Sequence, residues 1–275
     1  MGHAFSALVA HDMAKQAGAR FLLRIEDIDI GRCRPEFEAQ ILEDLAWLGL
    51  EWEVPVRRQS EHFETYREAV AKLETMKLLY PCFATRKEIA EAVAKKGPHA
   101  LDPEGAPLYP GLYRGLDAQQ IESLKASGAP HALRIDMARA IEAAREMTGE
   151  SISFLEIAGD GSSPERRPAD PARWGDAVIA RKDVPTSYHL AVVVDDALQG
   201  ITHVVRGQDL YAATDIHRLL QILLELPEPA YHHHRLILDD KGQKLAKSRE
   251  DESLKALREA GASPSKIRRM VGLEG

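Results

Sequence analysis

The sequence predicts an open α/β sheet interrupted by an insertion, and three observations carry that prediction. Short apolar runs such as residues 20–25 (RFLLRI) interleave with segments whose apolar residues recur at helical spacing. A strand-then-helix step, the unit of such a sheet, occupies residues 201–225. Two proline- and glycine-rich stretches, 98–115 and 159–171, break the alternation.

The elements follow in order. Phe5, Leu8, Val9 and Met13 fall on one helical face, and Gly18 ends that helix before the 20–25 strand. A helix after Pro35 places Phe37, Ile41, Leu45 and Leu48 inward and stops at Gly49. The third helix spans about 62–79, with Phe63, Tyr66, Val70 and Leu73 inward. Thr85-x-x-Glu88 is a capping-box start for a fourth, which ends at Gly97. Residues 98–115 read as loop, and Asp117 caps a short helix to Ser127. Strands are expected at 132–137, 152–157 and 176–181, and the 159–171 stretch is read as a surface loop or seam. Residues 188–198 fit either a strand, through Val192-Val193-Val194, or a helix, through Leu190, Val194 and Leu198. A strand at 201–206, a helix at 215–225, a strand at 236–238 and the turn 239–242 come next. Ser263-Pro264 starts the last helix.

Composition bounds the class. With 275 residues, 44% hydrophobic and 29% charged, the chain has the values of a globular protein with one large domain or two modest ones. The longest apolar stretch, 190–194, is far short of a bilayer span, and His3, His11 and Asp12 break any signal-peptide core. Cys33 and Cys82 cannot form a disulfide framework, so a cytoplasmic location is expected. A net charge of −7 counts against non-specific nucleic-acid binding without excluding local basic patches such as Arg166-Arg167 and Arg268-Arg269.

Several constellations could carry chemistry. Gly2-His3 opens a helix whose free N–H groups suit a phosphate, or His3 simply caps a frayed end. Lys244 and Lys247 in KLAKS can neutralise charge developing in nucleotidyl transfer, or form a solvated basic loop. In RIEDID, Glu26 at a strand end can accept from a substrate ammonium group. In residues 187–209, Tyr188 can offer a hydroxyl and Arg206 a bidentate fork for a carboxylate, against packing and ion-pair readings. His232-His233-His234 lacks acidic or thiol partners at ligand spacing and is expected to be an exposed loop.

In this order, Gly2-His3, LRIEDID, SYHLAVVVDDALQGITHVVRGQD and KLAKS closely resemble class I glutamyl-tRNA synthetases over nearly the whole chain. Gly2-His3 matches the end of their HIGH signature and 244–248 their KMSKS loop. The resemblance implies a Rossmann-like nucleotide-binding catalytic domain with an insertion subdomain and short C-terminal helices. Its divisions are 1–80 and 171–235 for the two halves of the nucleotide fold, 81–170 for the insertion, and 236–275 for the KMSKS-like loop and tail. Only residues 249–275 follow the KLAKS motif, which points to the short branch of the family without an anticodon-binding region. That branch activates L-glutamate with ATP and esterifies it onto queuosine of tRNA(Asp). By this resemblance Glu26, Tyr188 and Arg206 bind glutamate, Glu26 suiting the ammonium and Arg206 the α-carboxylate. His3 and Lys247 serve ATP, with Lys244 in support and Mg2+ accompanying the nucleotide. A monomer is expected.

Two departures stand out. Where the family often holds zinc with Cys-x-Cys and Tyr-x3-Cys, this chain has Cys82, Ala84, Tyr109 and Tyr113, too few ligands for a closed site, so no zinc is expected. The family's first strand and its Arg-Phe-Ala-Pro-Ser-like turn, which contact glutamate and ATP, are also missing, and the expectation is a gene product that starts upstream of Met1. Two alternatives stay open: a catalytic fragment of a conventional glutamyl-tRNA synthetase, and a non-catalytic tRNA- or nucleotide-binding protein.

Overall fold

The computed structural model describes residues 1–97, 99–158, 163–237 and 253–273. Helix α1 (Gly2–Gln16) buries Phe5 and Leu8, and only Arg24–Ile25 of the expected 20–25 strand pairs, as β1. Its partner is β2 (Arg57–Arg58), in parallel. Between them lies α2 (Pro35–Trp47), with proline in its first turn and Glu36 and Glu38 complementing the helix dipole. The expected inward stripe of α2 divides. Leu45 and Leu48 are buried, whereas Phe37, beside the Arg34 guanidinium, and Ile41, on the cavity wall, are exposed.

After a short 3-10 turn, α3 (Phe63–Thr75) buries Tyr66, Val70 and Leu73, and its chain continues into β3 (Leu79–Cys82). Both arms of the Thr85/Glu88 capping box form on α4 (Arg86–Lys96), and Asp117 with Gln120 makes a second box on α5 (Ala118–Ala126). Strand β4 (Ala132–Ile135) is shorter than expected because Asp136 caps a helix absent from the sequence reading, α6 (Met137–Thr148). Strand β5 (Ser153–Glu156) is followed by an exposed β6 (Glu165–Pro168) within the segment read as loop, and 171–174 form a 3-10 turn. Strand β7 (Val178–Ala180) precedes α7 (Tyr188–Leu198), which resolves the ambiguous segment as helix: the Ser187 hydroxyl accepts from the Leu190 N–H as an N-cap. Strand β8 (His203–Gly207), α8 (Ala213–Leu223) and β9 (Ala230–His234) complete a βαβ unit. The short helices α9 (Leu254–Glu259) and α10 (Pro264–Met270) close the chain. Leu236 and Ile237 are not in a strand, and residues 238–242 fall outside the described residues.

Among the described residues three sheets form, ordered β1-β2, β3-β4-β7 and β6-β5-β9-β8, the last with parallel β5-β9-β8 pairings. Pairing of β5 with β9 and of β4 with β7 runs across the 170 division. One apolar core lies among α3, α6, α7 and α8, with Leu190, Ile216, Leu219 and Leu220 fully buried. A second joins α1 and α2 to the C-terminal helices through Phe5, Leu8, Leu45 and Ile267.

Asp195 on α7 ties these parts together. Its fully buried carboxylate accepts from Arg57 Nε at 2.8 Å, Gln59 Nε2 at 2.9 Å and Tyr66 Oη at 2.8 Å. Burial and the aspartate raise the Tyr66 phenol well above its ordinary value, keeping it a donor. Removing one side of a buried charge pair strands the other, at about 3–5 kcal/mol. Asp195→Ala should therefore lower urea-unfolding stability by about that much, and Tyr66→Phe by ~1 kcal/mol; a loss under 1 kcal/mol for Asp195→Ala would contradict the assignment.

Candidate active site

Arg206 lies at the end of β8, and the parallel register sets it opposite His233 of β9. It is 8% exposed, yet every hydrogen-bond partner of its guanidinium among the described residues is neutral. Nε donates to His233 Nε2 at 3.2 Å, Nη1 to His217 Nδ1 at 3.0 Å and Nη2 to Thr214 Oγ1 at 2.7 Å. The Tyr231 ring lies under it, 5.1 Å from centroid to guanidinium carbon. A buried cation without a contacting anion is costly, and the arrangement suits an incoming carboxylate.

Arginine always donates, so it fixes the tautomers around it. His217 accepts at Nδ1 and donates from Nε2 to His189 Nδ1 at 3.1 Å. His233 accepts at Nε2 and donates from Nδ1 to Glu156 at 2.8 Å. Burial, reinforced by the Arg206 charge, holds His189 down at about 4 and His217 well below the ordinary imidazole value. Tyr188, at the start of α7, is pushed up to about 12 by burial and then by Glu26, with Arg206 opposing. Glu26, Tyr188 and Arg206 thus share one electrostatic neighbourhood.

Glu26 follows β1 at a cavity of about 850 Å3 bounded by α1, β1 and the outer edge of β8. Its carboxylate is open to solvent on one side, and the enclosing protein raises its pKa, Arg24 opposing. Arg24 Nη1 donates to Asp196 Oδ1 at 2.8 Å and to Gln199 Oε1 at 3.1 Å on α7. His3, on the first turn of α1, lines the same cavity. Lys244 and Lys247 lie outside the described residues.

The histidine run is corrected. His232–His234 belong to β9, with His233 and His234 buried, because Glu156 and Ser6 from distant segments satisfy their ring nitrogens. Cys82 is buried, its thiol 3.3 Å from the Tyr109 hydroxyl, which in turn accepts from the Tyr113 N–H at 3.0 Å. The Arg134 guanidinium covers the Tyr109 ring at 4.0 Å, and no cluster of three metal-ligating side chains exists among the described residues. Sequence reasoning missed Thr214, His217 and His233 as partners of Arg206. Thr214 and His217, three apart on one face of α8, are the one local signal that could have found the pair.

The fold is that of a class I tRNA synthetase catalytic domain. The family model described as tRNA synthetases class I (E and Q), catalytic domain, matches residues 1–275, and the chain belongs to that family. It is 46% identical to a glutamyl-Q tRNA(Asp) synthetase of Rhodobacter capsulatus, over 99% of this chain and 95% of that protein. It is 35% identical to a glutamate–tRNA ligase of Aquifex aeolicus, over 97% of this chain and 52% of the ligase. A crystallised glutamate tRNA ligase from Elizabethkingia meningosepticum shares the fold at a TM-score of 0.72 and 24% identity, covering 98% of this chain and 57% of its own. Among the described residues, no helix is long and apolar enough to cross a membrane.

Two outcomes follow. His189 has a folded pKa near 4, below the ~6.5 of an unfolded histidine, so the unfolded state binds more protons between those values. Its contribution is fully present above about pH 6.5 and is lost as pH falls toward 4, by up to about 3 kcal/mol. Urea midpoints across that window should fall with acidification and fall less steeply in His189→Gln, where His217 still contributes; a profile unchanged by that substitution would contradict this. With the Cys82 thiol engaged by Tyr109, added zinc or EDTA should leave Tm unchanged, and a zinc-dependent rise would show a metal site.

Proposed function

We propose that this chain is an ATP-dependent ligase that activates L-glutamate and transfers it to queuosine of tRNA(Asp). The observation that carries the reading is the buried Arg206 fork, whose hydrogen-bond partners among the described residues are neutral, together with Tyr188, on which both Glu26 and Arg206 act electrostatically. The choice of tRNA rests on the 46% identity to the Rhodobacter capsulatus protein, against 35% to the Aquifex aeolicus ligase.

In this reading Arg206 grips a glutamate carboxylate, Glu26 accepts from the ammonium and Tyr188 donates its hydroxyl. A carboxylate oxygen attacks the α-phosphorus of ATP, supplied as its Mg2+ complex, and the bond to pyrophosphate breaks. A queuosine hydroxyl then attacks the acyl carbon and AMP leaves. His3 and Lys247, with Lys244, stabilise the phosphate charge; fixed cationic groups need no reorganisation as that charge builds. The halves 1–80 and 171–235 carry the nucleotide site, with 81–170 as insertion and 236–275 as loop and tail. The protein acts as a monomer in the cytoplasm, where its tRNA is found.

The test is glutamylation of queuosine-containing tRNA(Asp) beside tRNA(Glu). Label on the former, falling on the order of a hundredfold in Arg206→Lys because a point charge lacks the fork, supports the reading. Label confined to tRNA(Glu) overturns the tRNA assignment.

A further inference from the structure

Arg206 carries five N–H donors, of which His233, His217 and Thr214 engage three, and Tyr188 lies within interaction range of the same guanidinium; the terminal N–H groups not taken by those three are what the fork offers a carboxylate. A long side chain reaching a substrate would ordinarily lose rotamer freedom on binding. Here the cost is met in folding, because three side chains from two elements already hold the guanidinium. Thr214 and His217 come from α8, and His233 comes from β9. The holders are themselves fixed. The Thr214 hydroxyl lies 3.1 Å from His233 Nε2, Glu156 holds His233 from its other nitrogen, and His189 holds His217. All three holders are buried, and none contributes a charge that competes for the guanidinium.

We propose that Thr214, His217 and His233 are positioning residues for the carboxylate-binding fork of Arg206, setting affinity for glutamate without touching it. This rests on the reading of Arg206 as the carboxylate receptor. Thr214 fixes Nη2 and His217 fixes Nη1, so losing either lets the fork swing. His233, on Nε, fixes the plane.

The test is glutamate-dependent ATP–pyrophosphate exchange, with glutamate and ATP varied separately in the full chain. His217→Ala and Thr214→Val should each raise the KM for glutamate by about tenfold or more, leaving the KM for ATP within about twofold. His217→Asn, whose amide oxygen can replace Nδ1 as acceptor, and Thr214→Ser should restore most of the affinity. Equal rises in both KM values, or no difference between Ala and Asn at position 217, overturn positioning in favour of simple packing. Arg206→Ala separates the two claims: an unchanged glutamate KM there removes the carboxylate reading itself. If the wild-type chain shows no exchange, nitrogen-15 spectra of the imidazoles still decide the geometry. Unprotonated Nδ1 in His217 and Nε2 in His233, with an Arg206 Nε signal that shifts in Thr214→Val and His217→Ala, support it. Either opposite tautomer, or an unmoved Arg206 signal, overturns it.

Discussion

The fold depends most on the buried carboxylate of Asp195. It is wholly removed from water, and its charge is tolerated only because Arg57, Gln59 and Tyr66 donate to it from two other segments. That requirement places β2 and α3 against α7, and through β2 it fixes β1, at whose end Glu26 sits. The neighbouring Asp196 points a helical step away, toward the cavity, where it holds Arg24. Two adjacent aspartates thus do different work: one ties β2 and α3 to α7, and the other shapes the wall that carries Glu26.

Arg206 reverses that electrostatic logic. Asp195 is a buried charge hydrogen-bonded to Arg57, whereas the hydrogen-bond partners of the buried Arg206 guanidinium among the described residues are neutral. Burial and the arginine itself hold the His189 and His217 imidazoles below their ordinary values, so they stay neutral acceptors beside the guanidinium. A geometrically fixed, buried guanidinium suits an anion, which is the basis of the proposed glutamate site. The glutamate reading follows from this site and from the family, with the identity pattern choosing the tRNA.

Much of this was legible in the sequence, and the failures have physical causes. Capping boxes at Thr85 and Asp117 are local, and both form. The 188–198 segment was undecidable by apolar spacing alone and is settled by Ser187, a single side-chain cap. Helix α6 was overrun by a strand extended to Met137, although Asp136 and Gly149 mark its two ends. Phe37 and Ile41 follow the helical period correctly but face outward, since spacing reveals a stripe and not what covers it. The histidine run was misread for the same reason: three polar residues can lie in a buried strand only if distant groups such as Glu156 and Ser6 satisfy them. Among the candidate site residues, Glu26, Tyr188 and Arg206 do converge, whereas the His217, Thr214 and His233 support comes from folding and has no single local motif.

The most direct measurement of the central claim, a prearranged arginine awaiting a carboxylate, is a crystal structure of the chain with glutamate bound. One glutamate carboxylate should sit on the remaining terminal N–H groups of Arg206, with the contacts to His233, His217 and Thr214 still in place. Glutamate bound elsewhere, or an Arg206 that leaves those three partners to reach it, would contradict the account.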